Sequence, residues 1–254
     1  MMIHFIYQLK ERNESLFYYG ILCLLFAIFC LAMTKCTHTN VYGVNAWFKP
    51  FKFAFSTFLY AWAMAWYCHY LTKFNVEIFN WAIIILLGFE IVYITLQASK
   101  GQESHFNVCT PTHAALFSMM AIAASLVSLY TAYIATLFFT ENITGLPDYY
   151  LWAIRLSLII FVIFSFQGFL MGSRLSHTVG LVNDNSDLYI VGWSKTVGDL
   201  RIAHFIGMHA LQVLPLLAYY VLKDLKLTIM ISVLYGLLAV FTLVQALQGK
   251  SFFR

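Results

Sequence analysis

Apolar residues in this chain come in seven long runs, roughly 16 to 34, 53 to 71, 78 to 97, 113 to 139, 150 to 171, 202 to 222 and 228 to 248, with shorter polar stretches between them. Each run is close to the ~20 residues that carry an α-helix across ~30 Å of hydrocarbon. A helix also pairs its own backbone N–H and C=O groups, which hydrocarbon cannot do for it. The pattern predicts an all-α fold, a polytopic membrane protein built as a seven-transmembrane-helix bundle. Seven spans and their connections use nearly all of the 254 residues, so a single domain, 1–254, is expected. The first run is long, lacks a small-residue cleavage pattern after it and precedes six more, which reads as a retained span. No internal repeat and no low-complexity tract stands out.

Seven spans place the loops after spans one, three and five on one side with the C-terminus, here face A; the N-terminus and the other loops lie on face B. Face A loops run to roughly 18, 15 and 30 residues and face B loops to roughly 6, 10 and 5, and connections beyond ~12 to 15 residues are more often functional or disordered. His38, His105, His113, His177, His204 and His209, six of the eight histidines, fall toward face A. Lys and Arg number nine on face A against six on face B, which weakly favours face A as cytoplasmic.

Composition agrees with this reading: 61% hydrophobic, 10% charged and a mean hydropathy of +0.77 lie far from the soluble balance. A formal charge of +4 suits contact with anionic membrane lipid, and nothing points to nucleic acid. Five cysteines show no paired spacing, and Cys36 and Cys109 are the pair near face A that an oxidising compartment would let bridge.

Spans two, four and six start on face A, and each start is punctuated. Lys49-Pro50 precedes span two, Thr110-Pro111 supplies a cap and a first-turn proline to span four, and Thr196-Val197-Gly198-Asp199 has the form of a capping box for span six. Helix N-termini carry bare N–H groups and partial positive charge. With Lys49, Lys52, Lys100 and Arg201 beside them, they make a candidate binding site for a phosphate or carboxylate head group; interfacial anchoring by the same cations is the plainer reading.

Span six holds the densest polar pattern. At 100° per residue, Arg201, His204, Met208 and Gln212 line one stripe, with His209 toward its edge. His204 and His209 are five apart, not the four that puts two ligands on one helical face. Loop three gathers Gln97, Lys100, Glu103, His105 and Asn107 before His113 in the first turn of span four. Span three adds Glu90, Tyr93 and Gln97 at spacings of three and four, and an intramembrane carboxylate is a functional candidate by default. Pro215 is expected to kink span six, Gln167, Gln245 and Gln248 return amide groups to face A, and Asn183-Asp184-Asn185-Ser186-Asp187 suggests a hairpin lid with a weak calcium reading.

The helix count and the His, Asp and Arg usage invite comparison with the alkaline ceramidase and adiponectin-receptor membrane hydrolases. This chain lacks their closely spaced His-x-x-x-His in the last span, and retinal proteins need an interior lysine that span seven does not have. Three function classes follow from the residues. First is a membrane enzyme with a metal ion or haem held by His105, His113, His204 and His209. There Glu90 and Asp199 would handle protons, and Lys49, Lys52, Gln97, Lys100, Asn107, Arg201 and Gln212 would hold an amphipathic, lipidic or quinone-like substrate. Second is a transporter or proton-linked channel with a polar path through Glu90, His209 and Gln212. Third is a sensor or assembly subunit.

Overall fold

A computed structural model of the chain describes residues 2–41, 43–180, 188 and 190–253. Most of it is helix: α1 Met2–Arg12, α2 Glu14–Cys36, α3 Phe48–Cys68, α4 Val76–Ser99, α5 Pro111–Thr140, α6 Asp148–Phe166, α7 Gly168–Arg174, α8 Leu200–Leu217 and α9 Leu225–Leu247. A π-helical turn, Ala218–Leu222, extends α8 after Pro215. Six helical segments are long and apolar enough to cross a membrane: Glu14–Cys36, Val76–Ser99, Pro111–Thr140, Asp148–Arg174, Leu200–Leu222 and Leu225–Leu247. The chain is therefore an all-α protein of membrane-spanning type. Helix α3 is 21 residues long but falls outside that set; Lys52 and its Trp and Tyr residues hold its apolarity down. It also starts at Phe48, before Pro50. Proline is tolerated there because first-turn N–H groups have no intrahelical partner.

The chain divides into two compact units, Met1–Tyr130 and Thr131–Arg254, with the boundary inside α5. Both have the same order of elements. In the first, α2 leads to an antiparallel ribbon of β1 (Asn40–Val41) and β2 (Val44–Asn45), then α3 and α4. In the second, α6 and the short α7 lead to a ribbon of β3 (Thr178–Val179) and β4 (Gly198–Asp199), then α8 and α9. Asn45 Oδ1 accepts from Trp47 N at 3.0 Å, and Asp199 Oδ1 accepts from Arg201 N at 3.0 Å, so both ribbons turn into their helix through an Asx contact. The last helix of each unit opens on an Asx cap: Asn75 accepts from Ile78 N at 3.0 Å and Asp224 from Leu227 N at 2.8 Å. The topology repeats although the sequence shows no repeat.

Lipid is as apolar as leucine, so helices in a membrane associate through close fit rather than through exclusion of water. In the first unit α3 offers Ala54, Ala61 and Ala65, all fully buried, and Gly20 of α2 accepts the Trp62 ring so closely that a Cβ would overlap it. Trp62 Nε1 then donates to Phe17 O at 3.2 Å. In the second unit Gly207 of α8 lies against the Phe164 ring of α6, and Gly198 lies against the Ala246 backbone of α9. Phe164, Ala203 and Ala239 form the shared core of these three helices.

Expected details change here. Asp199, not Thr196, caps span six, because Gly198 and Asp199 are drawn into the ribbon opposite Val179 and Thr178. Residues 183–187, with the calcium reading attached to them, lie outside the described residues. All five cysteines are free thiols; Cys36 and Cys109 are exposed, whereas Cys23, Cys30 and Cys68 are buried.

Candidate functional site

Each unit carries its own set of buried or half-buried polar groups. In the first, Glu90 sits on the buried face of α4, and its Oε1 has no hydrogen-bond partner. Tyr19 of α2 is equally buried, and its hydroxyl finds no nitrogen or oxygen partner. The Cys23 thiol, one turn further along α2, and the Glu90 carboxyl are the polar groups that act on that hydroxyl. No cation pairs with Glu90 among the described residues. Each such bare polar atom costs about 1–3 kcal/mol, and a lone buried charge costs more still.

Above Glu90 on the same stripe, Gln97 Nε2 donates to Tyr93 Oη at 3.0 Å and to Glu103 O at 3.2 Å. Asn107 Nδ2 donates to the same carbonyl at 3.1 Å, and Asn107 Oδ1 accepts from Cys109 N at 3.3 Å. Loop three is thus folded on α4 by these amides, which assigns Gln97 and Asn107 an architectural task. His105 Nδ1 lies 3.1 Å from Ser104 Oγ, and its ring packs among Phe53, Phe106 and Phe117. His113 N is capped by Thr110 Oγ1 at 3.2 Å, while the buried His113 Nδ1 has no partner. Lys49 and Lys52 lie half-buried in the first turn of α3, whose start has no side-chain cap, and Lys100 is exposed at the C-terminal end of α4.

In the second unit Asp199 is fully engaged. Its Oδ1 accepts from Arg201 N and, at 2.9 Å, from Arg201 Nε; its Oδ2 accepts from Ser194 N at 2.9 Å and from Arg201 Nη2 at 2.5 Å. Arg201 also donates to Gly192 O. The pair closes on itself as a helix cap, so neither the carboxylate expected to move protons nor the cation expected to hold an anion is open. His204 Nδ1 lies 2.7 Å from Phe164 O. A carbonyl oxygen only accepts, so Nδ1 carries the proton and, in the neutral ring, Nε2 keeps the lone pair. His209 Nδ1 likewise donates to Gln212 Oε1 at 3.3 Å, with its ring 4.3 Å from that of Phe205.

Within neither unit do three His, Cys, Asp or Glu side chains of the described residues gather as a metal-holding group. His105 is enclosed by aromatic rings and His204 is tied to α6, which accounts for two of the four expected ligands locally. Residues outside the expected site stand out instead: Tyr19, which an apolar run conceals, and Trp66, Gln167, Thr228 and Ser232, whose buried polar atoms are unpaired. Only Gln167 carried a sequence signal, as an amide near face A. What the fold and these groups define is a helical membrane protein with unpaired polar groups at depth. Comparison with family models, with curated proteins and with solved structures finds no match.

Proposed function

We propose that this chain is a proton-linked membrane transporter or channel in which Glu90 takes up and releases the proton. The observation that carries the reading is the buried Glu90 Oε1, unpaired in the core of one unit, with Tyr19 Oη of the same core bonded to no nitrogen or oxygen. A carboxyl group kept at depth without a cation gives up stability unless its protonation is used. Repetition of one element order on either side of a connecting helix is also a common plan among transporters. In this reading α3 is the seventh span, face A is cytoplasmic, and the surrounding partner is membrane lipid. A metal- or haem-dependent enzyme draws on the open Nε2 atoms of His204 and His209, but no donor set gathers among the described residues.

The test is proton flux in sealed proteoliposomes carrying an interior pH dye and an imposed pH gradient. The wild-type chain should dissipate the gradient, Glu90→Gln should not, and Tyr19→Phe should slow it. Equal rates for wild type, Glu90→Gln and empty vesicles overturn the reading.

A further inference from the structure

In the second unit Gln167 is more than nine-tenths buried, and both its carboxamide atoms, Nε2 and Oε1, are without a partner. It stands at the junction where α6 ends and α7 begins, three residues beyond Phe164, whose carbonyl fixes the His204 ring. Gly168, next in the chain, lies beside that ring: a Cβ there would sit 3.4 Å from His204 Cε1. This end of α6 therefore offers a carboxamide NH2 donor, Gln167 Nε2, and two acceptors, Gln167 Oε1 and His204 Nε2, none of them paired among the described residues.

We propose that Gln167 and His204 form a recognition site for the primary carboxamide group of a small uncharged solute. Such a group carries two N–H donors and one C=O acceptor on one plane. Its C=O accepts from Gln167 Nε2, one N–H donates to Gln167 Oε1, and the other N–H donates to His204 Nε2, so every bare atom is paired. A ketone supplies no donor, and a carboxylic acid supplies only one. A vicinal diol has the right count, but its freely turning hydroxyls do not match the planar fork of a glutamine side chain.

Charge selection follows from the surroundings, because the Asp199–Arg201 pair at the start of α8 is closed on itself and offers an ion nothing.

The experiment is a titration of the full chain, ¹⁵N-labelled at histidine and held in phosphatidylcholine nanodiscs, with acetamide. The His204 Nε2 resonance should move and saturate with acetamide and stay unmoved by acetone and by glycerol. Gln167→Met should weaken the acetamide response at least tenfold. No saturable movement, an equal response to acetone or glycerol, or an undiminished response in Gln167→Met each overturns the proposal; the wild-type arms decide it even where the variant does not fold. Amide binding is read without proton flux, so this site and the role of Glu90 fail or stand separately.

Discussion

Asn13 and Asn80, at the start of α2 and in the first turns of α4, exchange side-chain hydrogen bonds: each Nδ2 donates to the other's Oδ1 at 2.9 Å. Asn13 Oδ1 also accepts from Leu16 N at 3.1 Å, so one oxygen both caps α2 and binds it to α4. Both residues are buried. Asn80→Ala leaves the Asn13 amide short of a partner and should cost about 1–3 kcal/mol. Asn13→Ala loses the cap as well and should cost more. Thermal unfolding of both variants and of the double variant should show a coupling of about 0.5–3 kcal/mol; strict additivity would refute the pairing.

His69 follows α3 outside the membrane-spanning segments, and its imidazole is held below its ordinary titration range by partial burial first and by the Arg12 charge second. Arg12 is fixed nearby, donating to Tyr70 Oη at 2.7 Å with its guanidinium 3.6 Å from the Trp66 ring. Both causes disfavour the imidazolium, so the folded chain binds that proton less readily than the unfolded chain. The associated stability is complete above the ordinary histidine value, about 6.5, and is lost as the pH falls through it and then through the lower folded value. NMR titration should place the His69 midpoint below the ordinary value, and Arg12→Ala should raise it only part of the way. A full return to the ordinary value would reverse the order of the two causes.

Three glycines of the second unit should separate sharply on substitution by alanine. A Cβ at Gly198 would run into the Ala246 backbone, and one at Gly207 into the Phe164 ring, whereas one at Gly236 would meet Ile160 at an ordinary 3.5 Å. Gly198→Ala and Gly207→Ala should each cost about 1–3 kcal/mol through overpacking, with Gly198 the worse because backbone cannot swing aside. Gly236→Ala should be near neutral. Midpoints of thermal unfolding in one detergent check the ranking.

Asp199→Ala removes an acceptor used by Ser194 N and by three Arg201 groups, and leaves the guanidinium without its counter-charge. Breaking one side of such a pair costs about 3–5 kcal/mol when it is buried; the half-exposed Arg201 places the expectation at the low end. The double variant Asp199→Ala, Arg201→Met should recover part of that loss. A double variant no better than the single one would mean that the cap, not the charge, carries the stability.

Glu90→Met should leave the thermal midpoint unchanged or raise it by about 2–4 °C per kcal/mol gained, since it removes an unpaired buried polar group. A large fall would reveal a structural partner for the carboxyl and argue against its use as a proton carrier.

Positions of the long helices were legible because length survives in any apolar run, and Thr110 caps α5 as its spacing suggests; α1, outside every apolar run, and the separate α7 were not. What stayed hidden depends on residues distant in the chain. Asn13 and Asn80 are separated by 67 positions, and each alone reads as an ordinary cap or turn residue. Tyr19 sits in a run whose aromatic residues look like packing, so only the fold reveals that its hydroxyl shares a core with Glu90. Asp199 looked like an acid near a site because spacing cannot show four donors converging on it. The repeated order of the two units escaped notice because packing and caps conserve geometry with different residues, Asn45 in one and Asp199 in the other.

The five thiols divide cleanly into accessible and inaccessible, and both accessible ones, Cys36 and Cys109, sit at loop-bearing helix ends of the first unit. The native chain therefore carries its own sidedness reporter. With α3 as a span, as proposed, a maleimide too polar to cross a bilayer will tag the two together when they face the medium of sealed vesicles and spare both when they face the lumen; tagging of one without the other would show that α3 does not cross.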